Sequence, residues 1–153
     1  TADELRSAMV ACFAYDERAL IERYVAGTEL AVSVVDTGEG PRALLPVEVV
    51  ADGRYDFDAR YNPGRSEYFV PARLDDAVIE KVKTTAVTVH TTLGLGNLSR
   101  TDLILDDEGT PWFIDVNVIP GMTETSLLPI AAKAEGSLEE LYDALVRNPL
   151  VHP

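Results

Sequence analysis

The stretch from Ser99 to Leu127, SRTDLILDDEGTPWFIDVNVIPGMTETSL, constrains this chain more than any other. Two strand-like runs flank Asp107-Glu108-Gly109-Thr110, a set of turn formers, so the stretch reads as a β-hairpin with a longer loop. If Asp107 stands opposite Thr110, the same register sets Asp102 opposite Asp115 and Arg100 opposite Asn117. Strand side chains alternate between faces. Arg100, Asp102, Asp115 and Asn117 would therefore share one face, and Leu103, Leu105, Trp112, Ile114 and Val116 the other. The second set is a core face. The first is costly as it stands, because carboxylates directly opposite each other repel. A hard cation such as Mg²⁺ or Ca²⁺ would reverse that cost. The plainer reading is that the acids face water, and a slip of one or two residues would dissolve the grouping.

The segment after the hairpin adds to the metal reading. Gly121 allows a backbone N–H to approach a ligand closely. Ser126 can start a helix running to about Ala134, and a helix N-terminus offers free N–H groups and positive dipole to a carboxylate or phosphate. Gly136 ends that helix, and Ser137-Leu138-Glu139-Glu140 is a capping box for a last helix to about Arg147. The tail Asn148–Pro153 is expected to fray.

Upstream, Leu5, Met9 and Phe13 recur at helical spacing with Ala8 and Cys12 beside them, so Cys12 is expected as a small buried hydrophobe. Ala19–Val25 reads as a strand turning at Ala26-Gly27-Thr28 into a partner, Glu29–Val35. Glu22 and Glu29 are then either edge charges or functional groups. A Gly/Pro-rich loop, Asp36–Arg42, leads to a strand over Ala43–Val50. The aromatic, charged stretch Tyr55–Tyr68 is broken by Pro63-Gly64 and reads as a loop, either a functional lid or surface packing. Pro71–Gly94 reads as a long helix capped at Asp75 or Asp76, with Val78, Val82, Ala86, Val89 and Leu93 as its apolar stripe and His90 in a structural place beside it. The element order predicts an α+β fold, a mainly antiparallel sheet with helices packed on it.

The 153 residues are about one domain's worth, and 46% hydrophobic residues suffice for a core. A net charge of −13 argues against a nucleic-acid partner, but not against a nucleotide, since Mg²⁺ bridges acids to phosphates. One cysteine excludes an internal disulfide and a cysteine-based zinc site. No apolar run is long enough to cross a bilayer, so no membrane partner is expected. The chain opens on Thr1, directly into a helical pattern, which suggests a piece of something longer.

Four blocks together resemble one family. They are Leu20–Leu30 (LIERYVAGTEL), Tyr55–Tyr61 (YDFDARY), Ser99–Asp102 (SRTD) and Asp115-Val116-Asn117 through Pro120-Gly121-Met122-Thr123 to Ser126-Leu127. In that order and spacing they resemble the D-alanine–D-alanine ligases, which are ATP-grasp enzymes. The resemblance implies the C-terminal portion of an ATP-grasp domain over residues 1–153, and an ATP- and Mg²⁺-dependent ligase that joins two D-alanines through an acylphosphate for peptidoglycan synthesis. It gives Glu22 to the adenine amino group, the backbone around Arg23 and Val25 to the adenine edge, and Glu29 to the ribose hydroxyls. Asp102, Asp115 and Asn117 would hold two Mg²⁺ ions, with Mn²⁺ as a substitute. Arg100 and the Gly121 N–H would stabilise the oxyanion, and Ser126 and Leu127 would take the second D-alanine's carboxylate. Arg60 and Tyr61 would belong to the lid, one toward phosphate and the other toward substrate.

The resemblance also carries departures. The family usually has Glu where this chain has Asp115, and Lys where it has Arg60. The family's N-terminal domain and the first part of its ATP-grasp region, with the phosphate-binding lysines and glycine-rich loop, have no counterpart here. The chain alone is therefore expected to be inactive, its partner being the missing N-terminal part of the same enzyme. A cytoplasmic homodimer is implied for the full-length protein. Two further readings stay open: an ATP-grasp ligase for another amino or hydroxy acid, and a decayed, non-catalytic metal-binding or interaction domain.

Overall fold

The computed structural model describes residues 2–51 and 66–148. Along the chain these form α1 (Ala2–Phe13), β1 (Thr28–Val35), β2 (Arg42–Ala43), β3 (Val47–Ala51), β4 (Ser66–Phe69), α2 (Asp76–Thr92), β5 (Leu98–Leu105), β6 (Pro111–Asn117), α3 (Leu127–Glu135) and α4 (Leu138–Arg147). The strands make one sheet in the order β4-β3-β1-β5-β6, with β2 pairing beside β1, and every pairing is antiparallel.

β1 is central because its sequence, TELAVSVV, has small or apolar side chains on both faces, and it is buried from Leu30 to Val35. Its two faces serve two cores. Leu30, Val32 and Val34 pack with Leu103, Leu105, Val82 and Ala86 under α2. Ala31 and Val35 pack with Val47, Val49, Leu127, Leu128, Ala131 and Leu141 under α3 and α4. Each such aliphatic side chain taken out of water contributes about 1.5–3 kcal/mol. α2 is rich in Thr and Val, which are poor helix formers, and Thr85, Thr88 and Thr91 return their hydroxyls to carbonyls four residues back. Packing of Val82, Ala86 and His90 holds it to the sheet. His90 is buried and its Nδ1 lies 2.8 Å from Ser99 Oγ on β5, the structural place expected for it.

Several expectations are corrected. Ala19–Val25 forms no strand, and β1 takes β3 and β5 as its long neighbours instead. Leu20, Ile21 and Tyr24 stay exposed, so the segment has no apolar face to pair with. The expected Ala43–Val50 strand is two pieces, because Pro46 has no N–H to give a ladder. α2 starts at Asp76 and Asp75 is its N-cap, although its side chain makes no capping bond. Leu93, placed in the apolar stripe, is exposed. Cys12 is exposed too, as are Leu5 and Phe13, so the apolar stripe of α1 is not covered among the described residues. Asn148 does not fray: its carbonyl accepts from Asn97 Nδ2, and its own amide reaches Asp36 O at 3.4 Å. The later helices match expectation, with Ser126 and Gly136 bounding α3 and Ser137 Oγ accepting from Glu140 N at the start of α4.

Candidate active site

The hairpin of β5 and β6 has two registers. Near the turn Leu105 faces Pro111, Ile104 faces Trp112 and Leu103 faces Phe113. Beyond a bulge between Leu103 and Asp102 the pairs become Asp102 with Asp115, Thr101 with Val116 and Arg100 with Asn117. The expected Asp107–Thr110 pairing is wrong at the turn, where Asp106 N instead donates to Thr110 O. The pairing at the acids is nonetheless the expected one, because Ile114 is an extra residue that makes up the difference. The bulge also moves side chains between faces. Trp112, expected with Leu103, shares the face of Ile104, and Phe113 takes the place beside Leu103. Ile114 and Val116 are not core: Ile114 is exposed and Val116 only half-buried.

Cross-strand partners share a face, so the registers define three rows on the side that α3 covers in part. The first row is Ser33, Arg100 and Asn117; the second is Ala31, Asp102 and Asp115; the third is Val49, Glu29, Ile104 and Trp112. Two residues along a strand separate successive rows, or about 6.8 Å. Over the second and third rows lies a cavity of about 310 Å³ lined by Glu29, Val49, Asp102, Ile104, Ile114, Asp115 and Leu127, among others. That is near the lower bound for small-molecule pockets. Ile104 and Ile114 had not been expected in it. Period-two alternation from Asp102 would have placed Ile104; no local signal marks the bulge that brings in Ile114.

Arg100 is 8% exposed, and its guanidinium grips Asp102 through both carboxylate oxygens, at 2.7 and 2.8 Å. This bidentate pair offsets the repulsion of Asp102 by Asp115, which lies directly across the ladder and is exposed. Asn117 Oδ1 accepts from Ile119 N at 3.0 Å, which starts the turn into the next loop. For a divalent cation the donor chemistry fits: two carboxylates and an amide oxygen are hard ligands, and Mg²⁺ usually takes only one or two carboxylates and completes its shell with water and phosphate. Among the described residues no three His, Cys, Asp or Glu side chains converge on one point, so a cage made wholly of protein is not present there.

The loop after β6 folds back on itself. A Cβ on Gly121 would lie 2.6 Å from Ser126 Oγ, so a side chain here would push the Ser126 hydroxyl aside. Ser126 caps α3 with extended backbone, but its hydroxyl makes no capping bond and instead meets Thr123 Oγ1 at 2.8 Å. Tyr142 of α4 supports the loop from behind by donating to Met122 O. Gly121, Ser126 and Leu127 are thus brought together, with Leu127 buried and reaching the cavity wall.

The upstream residues sit differently. Glu29 lies in the third row, half-buried. Glu22, Arg23 and Val25 lie in the irregular stretch before β1; Glu22 and Arg23 are exposed and Val25 is half-buried. A Cβ on Gly27 would stand 2.1 Å from the Leu105 carbonyl oxygen, so glycine alone lets this stretch press against the end of β5. Arg60 and Tyr61 lie outside the described residues, as does most of the expected lid. Among the described residues no helix is long and apolar enough to cross a membrane.

Comparison with known proteins bears on the family and the fold. Residues 1–147 match the family described as D-ala D-ala ligase C-terminus. A D-alanine–D-alanine ligase of Bordetella petrii is 42% identical over 134 residues, which covers 86% of this chain and 41% of that protein. The crystal structure of a D-alanine–D-alanine ligase from Bacillus anthracis complexed with ATP superimposes with a TM-score of 0.80 at 27% identity, covering 97% of this chain and 46% of that one. A D-Ala:D-Ser ligase from Enterococcus faecalis superimposes with a TM-score of 0.79 at 28% identity, covering 95% of this chain and 43% of that one. The chain spans less than half the length of these relatives.

Proposed function

The chain belongs to the D-alanine–D-alanine ligase family as its C-terminal region, with an ATP-grasp fold, and from that footing we propose that it forms the nucleotide- and metal-holding half of a ligase that joins two D-alanines. The intact protein would add an upstream half like that of its relatives, with the chain alone inactive. The observation that carries the reading is the order of the three rows. Along the sheet Glu29 lies in one outer row, Asp102 and Asp115 in the middle row, and Arg100 and Asn117 in the other outer row, where β6 runs out toward the Gly121–Ser126 loop. A nucleoside triphosphate has the same order: sugar, phosphates, then the acyl centre that receives phosphate.

Each residue has a task in that order. Glu29 accepts hydrogen bonds from the ribose hydroxyls, while Glu22 and the backbone at Arg23 and Val25 read the base. Asp102, Asp115 and Asn117 would hold Mg²⁺, two ions in this reading, and the metal neutralises phosphate charge when bound. The carboxylate of the first D-alanine takes the γ-phosphoryl group of ATP and becomes an acylphosphate. The amine of the second D-alanine attacks that carbonyl, a new C–N bond forms, and inorganic phosphate leaves. Arg100 and the Gly121 N–H steady the oxyanion. The open N-terminus of α3 at Ser126 and Leu127 holds the second carboxylate. Arg60 and Tyr61 are assigned to the lid over this centre.

The test is isotopic. Intact protein given ATP, Mg²⁺ and D-alanine labelled with ¹⁸O in its carboxylate should release ADP, dipeptide and phosphate carrying one ¹⁸O. Phosphate without label rules out the acylphosphate, and absence of dipeptide rules out the ligase. The likeness to a D-Ala:D-Ser ligase supports a second reading, in which D-serine is the acceptor. Competing D-alanine, D-serine and D-lactate in one reaction decides between them. If the domain has decayed instead, Asp115→Glu should raise activity sharply. We place the full-length enzyme in the cytoplasm as a homodimer, which light scattering would check.

A further inference from the structure

We propose that Trp112 is a positioning residue for the nucleotide: its ring holds Arg23 and so fixes the Glu22–Val25 segment, which the proposed function assigns to the base. The inference rests on the reading of that cavity as a nucleotide site. It starts from a weakness in the fold. Residues 14–27 belong to no helix or strand, so no ladder of hydrogen bonds sets their position. They need tethers. One is Gly27, pressed against the Leu105 carbonyl.

The second tether is four residues upstream. The Arg23 guanidinium carbon stands 5.1 Å from the centroid of the Trp112 ring, within cation–π range. Among the described residues no carboxylate pairs with Arg23, although the chain is strongly acidic, so the ring is its anchor. The ring is itself fixed. Trp112 Nε1 donates to Asp106 Oδ2 at 2.7 Å, while Asp106 Oδ1 accepts from Glu108 N and Thr110 N. Lys81 of α2 ties the same turn down by donating to Gly109 O at 2.6 Å. Trp112 also lies in the row of Ile104 and Glu29. A single row thus joins the ribose-side acid to the ring that holds the base-side segment. This placement exists only because the bulge puts Trp112 on the cavity face.

The experiment measures affinity of the intact protein for MgATP and, separately, for Mg-tripolyphosphate, which has the phosphates but no base. Trp112→Leu should weaken MgATP by about three- to tenfold, the size of a partly exposed cation–π contact, and leave tripolyphosphate unchanged. Trp112→Phe keeps an aromatic face but loses the second ring and the bond to Asp106, and should fall between wild type and Trp112→Leu in MgATP affinity. Arg23→Gln should match the loss in Trp112→Leu, and the double variant should lose no more than either single one. Unchanged MgATP affinity in Trp112→Leu overturns the inference, as do equal losses for both probes or additive losses in the double variant. If Trp112→Leu fails to fold, Trp112→Phe and Arg23→Gln carry the same comparison. A wild-type protein that binds no MgATP at millimolar concentration overturns the functional reading beneath it, which is a different result from any of these.

Discussion

At the scale of single residues, the site depends on shapes that near-isosteres do not share. Arg100 is an example. Its fork meets both oxygens of Asp102, and a lysine would offer the same charge through a single point. Arg100→Lys in the intact protein should lower kcat/KM by about 10²–10³-fold, the cost of losing one donor to a developing oxyanion. Steady-state kinetics of dipeptide formation would show it. Gly121 is the second example, because any side chain there must turn the Ser126 hydroxyl away from its present place. The loop is exposed, so the fold should tolerate the change far better than the chemistry does. Gly121→Ala should keep its thermal midpoint within a few degrees while turnover falls roughly 10²-fold, as expected for an ångström-scale misplacement. A large fall in the midpoint would instead make the contact a structural one.

At the scale of elements, the bulge in β6 decides the site. The hairpin was legible in the sequence because turn formers sit between two strand-like runs, and the pairing of Asp102 with Asp115 came with it. The bulge was not legible: an extra residue leaves no mark in composition, and its signature is a register found only after both strands are paired. Two errors, one at the turn and one at Ile114, cancelled at the acids but not at Trp112. The Ala19–Val25 strand failed for a related reason, since a short apolar run carries β-propensity whether or not a neighbour exists to pair with it. Helix ends were read correctly where a cap or a glycine marks them, as at Ser126, Gly136 and Ser137. Deleting Ile114 should leave both registers compatible, so the variant should still unfold cooperatively. It would lose one wall of the cavity, and its MgATP affinity should fall about tenfold, roughly the loss of one half-buried aliphatic contact. Calorimetry reads both quantities.

At the scale of the whole molecule, the sheet is clamped between α2 on one side and α3 with α4 on the other. Two titratable groups bear on its stability. Burial pushes the His90 pKa below its ordinary value, so the native state keeps His90 neutral. The unfolded chain then binds the proton first. Stability from this source is complete above about pH 6.5 and declines as pH drops from there toward the folded value. Glu48 of β3 is held below the usual carboxylate range by its hydrogen bond from the Arg73 guanidinium. Its contribution is present above about pH 4.5 and is lost as pH falls through its lowered value. Denaturant midpoints measured from pH 8 to 2 should therefore fall in two limbs. His90→Gln should remove the upper limb, and Arg73→Gln should lower stability above pH 4.5 while flattening the lower one.

The two-sidedness of β5 has one more consequence. Alternate letters of the same eight-residue strand answer to different masters: Ser99, Thr101, Leu103 and Leu105 to the packing beneath α2, and Arg100, Asp102 and Ile104 to the sheet face that carries the hollow opposite. Saturation mutagenesis of this strand, scored once for soluble yield and once for turnover, should give two combs offset by a single tooth.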